Sequence, residues 1–367
     1  MTSEKATVFI VDDQKQNIQI LAGILGEEYN IRFATSGIEA LEKIKNKPLP
    51  DIILLDIMMP EMNGYELCKK IKNDSLISKI PVIFVTALNE LENEAEGFAV
   101  GGVDYITKPV RPSIVKARVA THLALFNQNR ALEIMVKQRT KELLLTRDAT
   151  IYGLAGLAET RDNETGEHIK RTQLYVGVLA QYLYEKTEYA KYLSEEKVDL
   201  LAKSAPLHDI GKVGIPDNIL LKPGKLTDEE FVIMKTHVDI GRATIERAEK
   251  AIGKDMPNTF LASAREICAN HHEKYDGSGY PRGLKGQDIP LPGRIMAICD
   301  VYDALISRRV YKPPFPHVKA VEIIKKDSGT HFDPILVDAF LTLESEFIKI
   351  ASENIDDKED VEILFQK

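Results

Sequence analysis

The sequence has few cysteines, no long hydrophobic run and no excess of basic residues. Its three cysteines, Cys68, Cys268 and Cys299, form no Cys-x-x-Cys pair, which argues against a disulfide scaffold and suits a reducing compartment. No stretch approaches the ~20 apolar residues that cross a bilayer, and the N-terminus lacks the apolar segment of a signal peptide. The net charge of −8 disfavours nucleic-acid polymers and membrane surfaces as principal partners. We therefore expect a cytoplasmic protein.

The chain of 367 residues, 44% of them hydrophobic, is long enough for two globular domains and a connector, at ~150 residues per domain. Its first part alternates short apolar runs with helix-like segments. The apolar runs cover 6–11, 51–55, 81–85 and 103–106, and the helix-like segments cover 15–26, 37–46, 64–73 and 89–100. Because each apolar run is continuous, its strand should be buried on both faces, as in an α/β doubly wound parallel sheet.

Polar residues stand where these predicted strands end, namely Asp12, Asp13, Asp56, Thr86 and Lys108. The carboxyl ends of parallel strands lie at one edge of the sheet, where ligands bind. Three carboxylates there would repel one another without a cation, and Mg²⁺ with its oxygen ligands is the natural choice. Any one aspartate taken alone has an alternative explanation as a helix N-cap.

Residues 1–122 resemble the receiver domain of bacterial response regulators. Met59-Pro60 and Gly64 after Asp56 fit the same pattern. The resemblance implies that Asp56 accepts a phosphoryl group from a sensor histidine kinase. It further implies the following roles: Asp12 and Asp13 bind Mg²⁺ together with Asp56, Thr86 and Lys108 contact the phosphoryl group, and Tyr105 is the aromatic switch residue.

Residues 123–149 form the predicted connector. No helix breaker occurs between Pro112 and Gly153, and apolar or semi-apolar residues recur close to every 3.5 residues, near positions 115, 119, 122, 125, 129, 132, 136, 139 and 143. Asn129 and Arg139 interrupt this stripe, as polar residues that fix register do. We predict one long helix that continues the last receiver helix and pairs with a second copy in a homodimer. Packing of the helix against its own domains is the alternative.

Residues 150–350 are predominantly helical in pattern, and residues 351–367 form an acidic tail to which we assign no role. The candidate helices are 148–161, 167–186, 195–207, 227–236, 238–250, 258–270, 292–306, 316–326 and 334–349. Histidines and acids recur through this part in a set without thiolates, namely Glu164, His168, His208, Asp209, His237, His271, His272 and Asp300. Imidazole with carboxylate suits Fe, Mn, Ni, Co or Zn, and two such metals can assist the hydrolysis of a phosphoester. Each residue also has a plain structural explanation, and Cys299 is better read as a small buried residue.

This part resembles the HD-GYP domain, a subgroup of the HD superfamily of metal-dependent phosphohydrolases. The motifs are His208-Asp209 with Lys212, the pair His271-His272, Gly279-Tyr280-Pro281 and the Asp-x-x-Asp-Ala-Leu run that starts at Asp300. The resemblance implies an all-α fold that hydrolyses cyclic di-GMP to linear pGpG, with further cleavage to GMP left open.

The resemblance also implies residue roles. His168, His208, Asp209 and Asp300 form the superfamily metal site, Asp209 bridges to a second metal held by His237 and His271, and Glu164 and His272 match positions that hold a third metal in some members. Two or three metals are therefore implied. Asp209 and Lys212 are the implied catalytic residues, and Lys212, Tyr280, Arg294, Arg309 and Lys312 the implied substrate contacts.

One departure from the family pattern is Arg308, which precedes Arg309 where an acidic residue is common. This extra charge would favour either the dianionic substrate or the linear product. Two rival functions stay open at this point. One is a weakly active module that binds cyclic di-GMP or pGpG and a protein partner, and the other is an HD-type phosphohydrolase for another nucleotide.

Overall fold

The computed structural model describes residues 5–87, 94–161, 166–253, 259–308, 313–355 and 357–366. The chain divides into two compact units, Met1–Glu142 and Leu143–Lys367. Among the described residues no helix is both long and apolar enough to span a membrane.

The N-terminal unit is built on five parallel strands. They are β1 (Thr7–Val11), β2 (Asn30–Ala34), β3 (Ile52–Asp56), β4 (Val82–Ala87) and β5 (Asp104–Lys108), in the spatial order β2-β1-β3-β4-β5. The predicted doubly wound sheet is confirmed. Strand β2 was not among the predicted strands. It is an edge strand with exposed Phe33, and its polar residues mask the apolar pattern.

Helices cover both faces of this sheet. They are α1 (Lys15–Leu25), α2 (Gly37–Ile44), α3 (Gly64–Lys72) and α4 (Glu94–Ala99). The side chains of Ser36 and Asn63 cap α2 and α3 by accepting hydrogen bonds from the amides of Glu39 and Glu66, which satisfies donors that a helix start leaves unpaired. Two apolar cores, one on each face, hold the strand ends in register.

Helix α5 runs without interruption over Pro112–Glu159, which corresponds to about 70 Å at 1.5 Å per residue. This confirms the predicted continuous helix. Its first turns bury Val115, Val119 and Leu123 in the core of the sheet domain. Farther along, Leu132 and Leu143 are 49% and 71% exposed, so this part of the helix presents an apolar stripe to solvent.

The C-terminal unit is helical, as predicted. After α5 come α6 (Gly166–Lys186), α7 (Glu195–Ser204), α8 (Asp217–Leu220), α9 (Asp228–Lys235), α10 (His237–Ile252), α11 (Phe260–Asn270), α12 (Leu291–Ile306), α13 (His317–Lys326), α14 (Pro334–Thr342), α15 (Glu344–Glu353) and α16 (Lys358–Leu364). The helix predicted over 334–349 is two helices that meet at Leu343. The main core contains the fully buried aromatic side chains of Tyr175, Tyr302, Phe340 and Phe347.

The C-terminal residues, which the sequence analysis treated as a tail without a role, belong to this core. Leu364 of α16 is 1% exposed among the core residues. The carbonyl of Asn354 accepts a hydrogen bond from the buried Arg171. Arg308 pairs with Asp360 of α16 through Nη2 and Oδ1 at 2.6 Å. The domain therefore continues past residue 350, and the charge of Arg308 is matched by the tail.

Candidate metal centre and receiver site

Three carboxylates of the N-terminal unit converge at the carboxyl edge of the sheet. Asp12 and Asp13 follow β1, Asp56 ends β3, and one oxygen from each lies within 4.8 Å of the others. Lys108, at the end of β5, donates to Asp12 Oδ2 at 2.9 Å and to Asp56 Oδ1 at 2.7 Å. One oxygen of Asp13 is buried without a hydrogen-bond partner in the described structure. Three facing carboxylates, one of them with an unsatisfied oxygen, fit a hard divalent cation.

The carboxyl of Asp56 has a perturbed pKa. Burial raises its pKa to about 6, although the hydrogen bond from Lys108 works in the opposite direction. A Cβ at Gly64 would collide with the carbonyl oxygen of Asp56, so a glycine there lets the start of α3 pack against the end of β3. Asp56 is thus held at the sheet edge by the lysine on one side and the loop on the other.

Two of the three predicted switch residues, Thr86 and Tyr105, lie on neighbouring strands. Thr86 is buried near the end of β4, and Tyr105 is buried in β5 at 6% exposure. The Tyr105 ring packs against Phe84 and Phe98, at centroid distances of 5.4 and 5.3 Å. The tyrosine thus occupies a space between β4 and α4 that is closed by aromatic rings.

Two groups of metal-ligating side chains meet inside the C-terminal unit. The first comprises His168, His208 and Asp300, and the second comprises Asp209, His237, His271 and His272. Within each group one ligand atom per residue lies within 4.8 Å of the others. Asp209 also reaches the first group, since its Oδ2 lies 3.4 Å from Nε2 of His208. The structure therefore brings together seven of the eight predicted metal ligands, while Glu164 lies outside the described residues.

The donor atoms in these groups fit a divalent metal. The Nε2 atoms of His208, His237 and His271 and the Oδ1 of Asp209 are buried without a hydrogen-bond partner in the described structure. The Nδ1 atoms of these three histidines face backbone carbonyls, including that of Ala205 for His208 and that of Met234 for His237. This contact fixes each ring with Nε2 turned inward. Buried polar atoms are normally paired, so this pattern is that of ligands aimed at a cation.

The charge balance of the cluster points the same way. Burial by itself would lower the pKa of His208, but Asp209, Asp300 and Glu159 raise it to about 10. The cluster therefore favours positive charge at its centre. Burial and the neighbouring His271 instead hold the pKa of His272 well below its usual range, which keeps that ring neutral and able to bind a metal.

A short turn carries Asp209 and Lys212 to this place. A Cβ at Gly211 would collide with the carbonyl of His237, so the glycine lets the turn approach the start of α10 closely. Lys212 Nζ lies 2.8 Å from Asp209 Oδ2. Burial opposes ionisation of Asp209, yet Lys212 and His208 together lower its pKa well below the usual range. Asp209 is therefore a carboxylate with a cation beside it.

A second layer of charged residues supports His168, and the sequence analysis did not assign it. The carboxylate of Asp303 accepts hydrogen bonds from Nδ1 of His168 at 2.8 Å and from Nε of Arg171 at 2.6 Å. Both residues are buried. Asp303 stands three residues after Asp300 in an apolar helix, and Arg171 stands three residues after His168. Residues three apart lie on one helix face, and a buried unpaired charge is costly. These two features of the sequence could have indicated the roles of Asp303 and Arg171.

The Gly-Tyr-Pro loop folds around Glu273, which the sequence analysis also left without a role. The two carboxylate oxygens of Glu273 accept hydrogen bonds from the amides of Arg282 and Leu284 at 2.8 and 3.0 Å. A Cβ at Gly279 would collide with the backbone of Lys274, so the loop can close only with a glycine there. Tyr280 is thereby placed against the metal-ligating residues, with its ring stacked on His272 at 4.7 Å.

The other predicted substrate contacts have different positions. Arg294 lies in a buried ion pair with Asp333 and also donates to the hydroxyl of Tyr189 and the carbonyl of Ile289. These contacts give it an architectural role between helices rather than a place among the metal ligands. Arg309 and Lys312 lie outside the described residues.

Comparison with known proteins supports a two-domain assignment. A family model described as the response regulator receiver domain matches residues 8–120, and one described as the HD domain matches residues 158–336. HD domains bind divalent metals, in agreement with the histidine and aspartate groups.

Three curated relatives illustrate the similarity. A probable cyclic di-GMP phosphodiesterase of Vibrio cholerae is 50% identical over 96% of this chain and 81% of that protein. The cyclic di-GMP phosphodiesterase response regulator RpfG of Xanthomonas campestris is 34% identical over 92% of this chain and 89% of its own length. A 3′3′-cGAMP-specific phosphodiesterase of Vibrio cholerae is 41% identical, over 62% of this chain and 40% of that protein.

The first two relatives align along nearly the whole chain, across both the receiver and the HD domain. The chain therefore belongs to the family of response regulators that join a receiver domain to an HD domain and include the named cyclic di-GMP phosphodiesterases.

Proposed function

We propose that the HD domain of this response regulator hydrolyses cyclic di-GMP to linear pGpG and that phosphorylation of Asp56 controls this activity. The observation that carries the proposal is the meeting of two groups of metal-ligating side chains at Asp209, beside Lys212. The substrate follows from the relatives, two of which are named for cyclic di-GMP.

His168, His208, Asp209 and Asp300 would hold one divalent transition metal, and Asp209 with His237 and His271 would hold another. Fe, Mn, Ni, Co and Zn all suit this mixture of imidazole and carboxylate. Glu164 and His272 would contribute to a third. When bound, the metals supply Lewis-acid stabilisation of the phosphoryl oxygens and lower the pKa of water.

The protein side chains orient the substrate and balance its charge. In the reaction a water oxygen bonds to phosphorus, the bond from phosphorus to the 3′ oxygen breaks, and that oxygen takes up a proton. Lys212, a point charge beside Asp209, would neutralise charge on the phosphoryl oxygens as it develops. Tyr280 would stack on a guanine, and Arg309 and Lys312 would contact phosphates or bases.

In the receiver domain, Asp12, Asp13 and Asp56 would hold Mg²⁺, and a sensor histidine kinase would supply the phosphoryl group. Lys108 now binds Asp56 directly. The phosphoryl group would place nearly two negative charges and three acceptor oxygens on the Asp56 side chain, so Lys108 and Thr86 would turn to the new group. Tyr105 would respond to the movement of Thr86.

Helix α5 would pair with a second copy of the chain. Leu125, Leu132, Val136 and Leu143 follow a heptad pattern and are 49%, 49%, 63% and 71% exposed, and such a stripe is normally covered in a stable helix. Sedimentation analysis of the wild type and of Leu132→Arg with Val136→Arg tests the pairing. A wild-type monomer, with and without a phosphoryl mimic, would contradict it.

Nucleotide chromatography tests the activity. Purified protein with Mn²⁺ or Fe²⁺ should convert cyclic di-GMP to pGpG, and the variant with His208→Ala and Asp209→Ala should lose both turnover and bound metal. His122→Gln is a matched control, because His122 pairs with Asp104 in the receiver domain and should retain the metal.

Other results would favour the alternatives. Tight binding of cyclic di-GMP without any pGpG would indicate a binding module instead of an enzyme. Faster turnover of 3′3′-cGAMP, the nucleotide for which one relative is named, would reassign the substrate. For the regulation, equal activities of wild type and Asp56→Asn under phosphorylating conditions would refute control by the receiver domain.

A further inference from the structure

Helix α9 exposes apolar side chains on the surface of the C-terminal unit. None of its eight residues is buried, and its large apolar side chains include those of Phe231 and Ile233, which are 45% and 41% exposed. Its start is nevertheless well fixed, because Thr227 and Glu230 form a capping box and Lys222 pairs with Glu230. A short helix that is anchored at one end and exposes large apolar side chains is typical of a binding surface.

One side of α9 faces the Gly-Tyr-Pro loop. The rings of Phe231 and Tyr280 meet edge to face, with centroids 6.2 Å apart and planes at 79°. Lys235 lies over both rings, with Nζ at 5.2 Å from the Phe231 centroid and 5.8 Å from the Tyr280 centroid. These distances are within the range of cation–π attraction. Phe231, Lys235 and Tyr280 thus form one continuous wall, hereafter the aromatic wall.

The aromatic wall adjoins the metal ligands. Tyr280 stacks on His272 with an interplanar angle of 25°, and its amide donates to the His272 carbonyl at 3.1 Å. Tyr280 is therefore packed directly against one of the predicted metal ligands. A ligand whose phosphate lies at the metal centre would therefore reach the wall with its next chemical group.

We propose that the aromatic wall binds a guanine base of cyclic di-GMP, with Phe231 and Tyr280 supplying apolar contact and Lys235 facing the acceptor atoms O6 and N7. Aromatic side chains bind bases through their π faces, and a lysine ammonium suits the two acceptors on guanine. Phe231 and Lys235 are then substrate-binding residues in addition to those implied by motif. This assignment rests on the proposed function.

Steady-state kinetics with cyclic di-GMP test the assignment. Phe231→Ala should raise KM about tenfold or more, as the loss of one stacking contact does, and leave kcat and bound metal close to wild type. A higher KM with an unchanged kcat is expected when the substrate and the transition state lose the same amount of binding free energy. Phe231→Tyr keeps an aromatic ring at this position and should retain the wild-type KM. Lys235→Gln should raise KM severalfold.

Val232→Ala is the matched control, because Val232 is a more exposed neighbour on the same helix and should leave both constants unchanged. If the wild type hydrolyses cyclic di-GMP and Phe231→Ala has an unchanged KM, the assignment of the aromatic wall is wrong while the proposed function stands. The same holds if Phe231→Ala lowers kcat and metal content together, since that would indicate a structural role. Absence of pGpG from the wild type would overturn the proposed function, and the assignment with it.

Discussion

Asp56 should destabilise the receiver domain at neutral pH when Mg²⁺ is absent, and Asp56→Asn should relieve this cost. Burial raises the pKa of Asp56 from 3.8 to about 6, so the folded state resists ionisation of this carboxyl. The difference corresponds to about 3 kcal/mol at about 1.4 kcal/mol per pH unit. Since the folded pKa is raised, the cost is absent below about pH 4 and complete above about pH 6. An asparagine resembles the neutral acid and does not carry this free-energy cost.

Amide hydrogen exchange of the β1 and β3 peptides in the full-length chain, with chelator present, measures the opening free energy of this domain. Asp56→Asn should raise that free energy by about 3 kcal/mol near pH 7.5 and by only about 1 kcal/mol near pH 4.5. Added Mg²⁺ should reduce the difference in opening free energy between wild type and Asp56→Asn, because Mg²⁺ binds and stabilises the native wild type. Equal opening free energies of wild type and Asp56→Asn near pH 7.5 would refute the reasoning. A gain in the opening free energy of Asp56→Asn that does not change with pH would refute it as well.

Asp74→Asn is a control of opposite sign. The hydrogen bond from Lys45 lowers the pKa of Asp74, and the amide of Leu76 also contributes. The ionised form of Asp74 is therefore favoured in the folded state, and its stabilisation is present above the unfolded pKa and lost as the pH falls. This variant should be less stable than wild type near neutral pH and equal to it in acid.

Further predictions concern the C-terminal unit. Asp303→Asn should reduce metal affinity about 10- to 100-fold, measured as metal per chain after dialysis against chelator, because Asp303 orients His168; undiminished metal content would contradict this role. Leu364→Ala should lower the free energy of unfolding by about 2–3 kcal/mol in urea titrations, since its side chain is 1% exposed, and an unchanged midpoint would mean that α16 does not stabilise the core. Glu273→Ala should remove exchange protection at the amides of Arg282 and Leu284, which now bind its carboxylate; full protection would show that the loop holds without it. A chelator should lower the melting temperature of wild type but not of a variant with His208→Ala and Asp209→Ala, and an equal shift in both would exclude these ligands.

Much of the candidate chemistry was predictable because it depends on local patterns. The end of each buried strand marks the position of Asp12, Asp56 or Lys108, since parallel strands bring their carboxyl ends to one edge. The absence of a helix breaker predicted α5. The recurrence of histidines and acids predicted a metal site, because residue type limits which metal a site can hold, and the resemblance to the HD-GYP domain implied how the ligands divide between metals.

Other features depend on contacts between distant residues. Strand β2 was missed because an edge strand with polar residues lacks the continuous apolar pattern of a buried one. Asp303 reaches His168 across 135 positions, and no local pattern records that contact. The C-terminal tail looked polar because acidic and other polar residues predominate in 351–367, and no local pattern records that Leu364 is buried in the core.

The sequence by itself determined which side chains can carry chemistry: the acidic receiver edge, the histidines and aspartates of the HD domain, and the long apolar stripe of α5. These follow from residue type and short-range periodicity. Only the tertiary structure decided that Asp209 reaches both ligand groups, that Asp303 and Glu273 support the centre, that Arg294 pairs with Asp333, and that Phe231 faces Tyr280. The physical reason is that burial and pairing of charges depend on helices that are far apart along the chain and come into contact only when the core forms.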